Sequence, residues 1–216
     1  MNSFFDLDNP AWRFVGKFFD ACFLSVVYLI FCLPIFTIGA ANTALYYVFL
    51  KLAKDEEGYL IRDFIKSFRQ NFKQATIVGI LLTIIGIILI VDIFWFKTKA
   101  NVLGNQQDYF MYYIFWIIFL VYSVIYLYIF PLIAKFENNT KNMFKFAFIM
   151  SIKHLGWTTL MIVLAVVIIL SASKVPPILV FIPGILAFFN SHIFNHIFNI
   201  YIVKMKENSL ENEENK

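Results

Sequence analysis

The chain has 216 residues, of which 61% are hydrophobic, 19% aromatic and only 15% charged, and it carries a formal net charge of +4. Soluble domains average ~45–50% apolar residues, so this composition excludes a water-solvated globule and points to a protein that uses lipid as its solvent. The basic residues follow the ends of the apolar runs, which leaves the net charge no case for nucleic acid.

Five runs contain no Asp, Glu, Lys or Arg: residues 21–50, 74–91, 109–134, 154–173 and 175–203. Each is close to or beyond the ~20 residues with which a helix rising ~1.5 Å per residue crosses a ~30 Å hydrocarbon layer. Backbone polar groups find no water there, so the runs are helices or strands of a closed barrel. Stretches such as residues 77–91 are apolar on every side instead of alternating, which selects helices. The expected fold class is therefore all-α: a polytopic transmembrane bundle forming a single domain over residues 1–206, with the lipid bilayer as its first partner.

In chain order, Arg13 and Lys17 precede the first run, and Asp20 follows Lys17 by three residues, a spacing that predicts a local ion pair. Cys22 and Cys32 are ten residues apart on a helix, too far to bridge, and read as packing residues. The stretch LPIFTIGAANTALYYVFLKL (33–52) interrupts an apolar segment with Pro34, Gly39 and Asn42. Pro34 removes a backbone donor and disfavours helix at Leu33, while Gly39 permits a sharp turn. Two readings follow. In one, a hairpin of two short spans, about 15–34 and 36–53, brings the total to six spans; in the other, a single kinked helix brings it to five.

Positive residues favour the cytoplasmic side. The six-span reading places fifteen Lys and Arg inside against three outside, the five-span reading at best thirteen against five. A dip that returned to its own side after a full span would leave the six cations of residues 51–73 outside. The hairpin is favoured, with both termini cytoplasmic.

Beyond the hairpin, Asp55, Glu56, Glu57, Gly58 and Tyr59 form an acidic turn beside Lys51, Lys54 and Arg62, either plainly solvated or a docking corner. Residues 59–73 place Ile61, Phe64, Ile65, Phe68 and Phe72 on one helical face and Arg62, Lys66, Arg69 and Lys73 on the other. That pattern predicts an amphipathic cytoplasmic helix, resting at the headgroups or docking a partner. The next span, 75–96, closes on Asp92, Trp95 and Lys97 as an interfacial anchor, and another covers 109–134. Residues 141–153, KNMFKFAFIMSIK, predict a second basic amphipathic helix before the span 156–173, so that two blocks of span, basic helix and returning span suggest an internal duplication.

In the last span, 177–203, His192, His196 and Asn199 recur at i, i+4 and i+7, with Asn190 and Asn195 nearby. This spacing stacks a polar stripe expected to face the bundle interior, hydrogen-bonded to a neighbouring helix through a residue such as Asn42, or lining a solute path. Two histidines without a carboxylate or cysteine make no metal set, and neither metal nor cofactor is expected. Residues 207–216, rich in Glu and Asn, are expected as a disordered cytoplasmic tail. No Gly-rich phosphate loop, HExxH, GxSxG or pair of intramembrane aspartates is present, so an enzyme is not expected.

Three segments, DNPAWRFVGKFFD (8–20), LPIFTIGAANTALYYVFLKLAKDEEGY (33–59) and DFIKSFRQNFKQAT (63–76), together resemble the YesL family, bacterial membrane proteins also termed domain of unknown function 624. The resemblance is strongest over residues 5–80. It implies a multi-pass protein of the cytoplasmic membrane, typical of Gram-positive bacteria, whose genes often accompany carbohydrate uptake. No activity is established for the family, so no catalytic residue carries over; the motif positions are Asn9, Pro10, Trp12, Lys17, Asp20, Pro34, Gly39, Asn42, Thr43, Asp55, Glu56, Glu57, Gly58 and Tyr59. The expected function is an accessory or regulatory component associated with a sugar transport system. The alternative is a small solute transporter in its own right.

Overall fold

The computed structural model describes residues 10–56, 58–172 and 176–214, with the backbone alone at residues 10, 11, 13, 172, 176 and 204–214. Among these the chain is helical throughout: α1 (Pro10–Cys32), α2 (Ile38–Leu52), α3 (Leu60–Leu103), α4 (Gln106–Lys135), α5 (Thr140–Lys153), α6 (Leu155–Ala172) and α7 (Ile182–Glu214), with 3-10 turns at Ile35–Thr37 and Pro176–Phe181. Five helical segments are long and apolar enough to cross a membrane, and the pair α5 and α6, bent by 95°, makes a possible sixth. Large apolar side chains such as Ile77, Ile84, Ile88 and Val91 on α3 or Val163 and Leu170 on α6 point outward. A water-soluble monomer does not expose apolar patches on this scale.

The chain turns back at Pro34 as two separate helices and does not run on as one kinked helix. Pro34 sits in extended backbone (φ −78°, ψ 113°) and stops α1, and Thr37 donates its hydroxyl to the carbonyls of Phe31 (2.5 Å) and Pro34 (2.6 Å), satisfying acceptors freed at the break. At the other end Lys17 Nζ lies 2.7 Å from Asp55 Oδ1. Two rods joined by a short corner and clasped at their far ends must lie side by side.

Helices α2 and α3 run antiparallel: Lys51 pairs with Asp63 at 2.8 Å near one end, and Gly39 meets Ala75 and Gly79 near the other. A Cβ at Gly79 would stand 2.7 Å from Gly39 Cα, so the two backbones touch at a crossing that only glycines allow. Helix α4 returns antiparallel to α3, with Tyr122 donating to the Leu82 carbonyl at 3.0 Å; just past its end the Asn138 carbonyl accepts from Gln74 of α3 at 2.9 Å. Gly104, at φ +66°, ends α3 in the left-handed conformation that favours glycine.

The two basic amphipathic segments do not form matching units. The first is the opening of α3 itself, whose 44 residues are about 66 Å long, more than twice the hydrocarbon thickness. No helix breaker separates Phe72 from Ala75, so helix propagates from the basic segment into the span. The second, α5, turns through 95° at His154 before α6. There the Thr158 hydroxyl donates to the carbonyls of Ser151 (3.0 Å) and His154 (3.1 Å), and Tyr128 meets it at 2.8 Å. The bend is thereby satisfied without water. The backbone of α7 is helical to Glu214, through residues 207–214 of the segment expected as a disordered tail, the last two residues lying outside the described ones; Glu, Lys and Leu are strong helix formers continuing from a long apolar helix.

Candidate functional site

The turn from α2 into α3 gathers the charged residues of the amino-terminal third. Three successive amides after α2 stay paired, with Ala53 N donating to Phe49 O (2.9 Å), Lys54 N to Lys51 O (2.9 Å) and Asp55 N to Leu52 O (3.3 Å). The chain then reverses at Asp55, which adopts φ +56°, a conformation Asp tolerates better than most residues. This aims the Asp55 carboxylate at Lys17 on α1. Asp63, in the first turn of α3, holds Lys51, whose ammonium also lies 5.8 Å from the Tyr47 ring centroid. Gly58 packs against this second pair: a Cβ there would collide with the Asp63 carboxylate and stand 3.3 Å from Lys51 Nζ. From the end of α4, Lys135 comes within electrostatic range of Lys54 and Glu56.

Partly exposed ion pairs contribute only ~0.2–1 kcal/mol each. That is too little to hold a bundle together, so the consequence of the pairs is local: Lys51 and Asp63 together form part of the wall of an open cavity of about 730 Å³ that is also lined by Gly58, Tyr59, Arg62 and Lys66. Lys17 therefore turns across the hairpin to Asp55, and not to Asp20 on its own helix as the three-residue spacing predicts. Asp20 remains partly buried on α1.

A second polar group lies inside the bundle. Asn190 donates to the Tyr46 hydroxyl at 3.4 Å and Asn195 to the Leu50 carbonyl at 2.8 Å, both across to α2. Asn190, Ser191 and Asn195 are 2%, 0% and 6% exposed, and among the described residues Asn190 Oδ1, Ser191 Oγ and Asn195 Oδ1 have no hydrogen-bond partner. The expected inward stripe of His192, His196 and Asn199 is not formed: all three are exposed. Two stripes of α7 share the helical period, and the one carrying Ala187, Phe188, Phe194 and Phe198 buries the larger apolar area, so it takes the interior. His192 Nδ1 instead meets the Phe188 carbonyl of its own helix at 2.9 Å, and His196 lies 5.6 Å from the Trp157 ring. Asn42 is partnered with the Tyr126 hydroxyl on α4 at 3.2 Å, not with α7.

Of the remaining motif positions, Pro10 opens α1, Trp12 is exposed, and Thr43 is fully buried, its hydroxyl turned to the Gly39 carbonyl at 3.1 Å. Asn9 and Glu57 lie outside the described residues. Three contributors were not singled out from the sequence: Asp63, Gly79 and Ser25. Asp63 had one available signal, an acid in the first turn of a helix. Gly79 follows Ala75 by four positions, a spacing of small residues that suits a close helix contact, but nothing local shows that the contact is with Gly39. Ser25 on α1 accepts from the Gly184 amide at 2.8 Å, while its hydroxyl is shared between the carbonyls of Ala21 (2.9 Å) and Phe181 (3.1 Å).

Long apolar helices around a polar-linked core, with charges collected at helix ends, define a multi-pass helical membrane protein. Over residues 21–93, which cover about half of α1, all of α2 and three quarters of α3, the chain matches the family described as "Protein of unknown function, DUF624"; the YesL resemblance is compatible with this match. The matched residues include the Pro34 corner, the Gly39–Gly79 crossing and the Asp55–Tyr59 turn, and begin after DNPAWRFVGKFFD. The chain is also 23% identical over 200 residues to "Uncharacterized protein YteU" of Bacillus subtilis (strain 168), an alignment covering 90% of this chain and 85% of that protein. No solved structure matches it.

Proposed function

We propose that this protein is an accessory or regulatory component of a carbohydrate-uptake system, set in a bacterial cytoplasmic membrane of Gram-positive type with both termini in the cytoplasm, and that it acts by contact rather than by catalysis. One observation carries the reading: at the turn from α2 into α3, Lys17 of one motif stretch pairs with Asp55 of another, and Gly58 and Tyr59 line the cavity that presents Lys51, Arg62 and Lys66. A surface built by ion pairs at a helix turn is suited to docking a partner of opposite charge. Fifteen of the eighteen basic residues fall on this side of the six-span arrangement, which supports its facing the cytoplasm.

Affinity purification after cross-linking in native membranes tests the reading. Replacing Arg62, Lys66 and Arg69 together with Gln is expected to lower recovery of the partner by roughly tenfold, since rim charges mainly steer association, while the protein itself purifies normally. Unchanged recovery would reject the docking corner.

The buried oxygens of Asn190, Ser191 and Asn195, without a hydrogen-bond partner among the described residues, favour a second reading, a small transporter with a polar interior. Solute uptake by vesicles holding the purified protein alone, abolished by Asn190→Leu with Asn195→Leu, would support transport over accessory docking.

A further inference from the structure

We infer that the corner cavity seats the phosphate headgroup of one anionic phospholipid, with the adjoining groove on α3 taking the start of its acyl chains. Three features of the cavity point to this occupant. First, its lining carries three cations, Lys51, Arg62 and Lys66, against one acid, Asp63, and that acid is held by Lys51 at 2.8 Å. Among the described residues, Arg62 and Lys66 are in no ion pair, and a guanidinium with an adjacent ammonium presents the fork and point charge that a phosphodiester accepts.

Second, the cavity lies at the start of α3, where Tyr59 stands in extended backbone and offers no side-chain cap. Asp63 is the one acid of that first turn and is engaged by Lys51, so the positive end of the helix dipole adds to the field of Arg62 and Lys66. Third, the cavity shares Tyr59 and Arg62 with a second, almost wholly apolar groove of about 540 Å³ that adds Ile61 and Ile65. A soluble phosphate has no use for that groove; a lipid does. Cations on one side of Arg62 and isoleucines on the other reproduce the two halves of an anionic amphiphile, beside Lys51 in the last turn of the apolar helix α2.

This inference does not depend on the proposed docking function, because it is read with purified protein and no partner. Full-length protein in zwitterionic detergent is titrated with phosphatidylglycerol and bound lipid is counted by native mass spectrometry. Arg62→Gln with Lys66→Gln is expected to weaken the first bound lipid roughly tenfold to thirtyfold. Arg62→Lys with Lys66→Arg, and the control Lys141→Gln with Lys145→Gln on α5, should stay within about threefold. If the double Gln variant fails to fold, Lys66→Gln alone carries the test, with roughly a fivefold loss expected. Equal weakening by the α5 control would overturn the inference in favour of a diffuse basic field. Displacement of the lipid by inorganic phosphate at matching concentration would overturn it in favour of a free anion site.

Discussion

Replacing Gly39 with leucine is expected to cost on the order of 3 kcal/mol of stability and to lower the melting temperature in detergent by roughly 5–10 °C. The Cβ at this position would strike the Ala75 carbonyl oxygen and stand 2.8 Å from Gly79 Cα. Both obstacles are backbone, which has no rotamer to give, so α2 and α3 must separate. Separation would also draw Lys51 from Asp63 and loosen the corner. Gly16→Leu and Gly156→Leu are the controls, because a Cβ at either meets nothing within 4 Å. Alanine at Gly39 and at Gly79 should each destabilise, and the double variant should cost less than the two together, since the first substitution already parts the backbones. Thermal unfolding of the four variants measures this; additive losses would mean that the glycines do not share one contact.

Gly184→Leu is expected to have the next largest effect, releasing α1 from α7. A Cβ there would collide with Ser25 Oγ and the Ala21 carbonyl. The Gly184 amide lies in the first turn of α7, where amides have no partner within the helix, and Ser25 supplies the missing acceptor from another helix. Ser25→Ala keeps the space and removes that acceptor, at an expected ~1–3 kcal/mol for an amide left unpaired away from water. Gly184→Leu adds steric exclusion and should exceed it. The readouts are melting temperature and the rate at which Cys22, partly buried on α1, reacts with a thiol reagent. Faster labelling in Gly184→Leu than in Ser25→Ala is the expected order, and equal labelling would show that the crossing at Gly184 does not position α1.

The His192, His196 and Asn199 stripe shows how far periodicity reaches. Spacing placed the three residues on one face, and they do share one. Spacing is silent on which face turns inward, because Phe188, Ser191, Asn195 and Phe198 recur with the same period one position away. The apolar area buried against α1, α2 and α4 made that choice. Similarly, Lys17 had a partner within reach on its own helix, yet the hairpin offered Asp55, which no local spacing reveals.

What the sequence determined by itself is what depends on one residue at a time or on a run: the helical class, the apolar segments, the break at Pro34 and the family resemblance over residues 21–93. Hydrocarbon thickness and backbone satisfaction act on each run separately, so they can be read without a neighbour. The tertiary structure alone decided the Gly39–Gly79 and Ser25–Gly184 crossings, the pairing of Lys51 with Asp63, the unbroken α3 against the bent α5 and α6, and the direction each face of α7 points. These depend on the distance between groups far apart in the chain, and in a membrane, where lipid is as apolar as the side chains, close packing and polar contacts between helices set that distance.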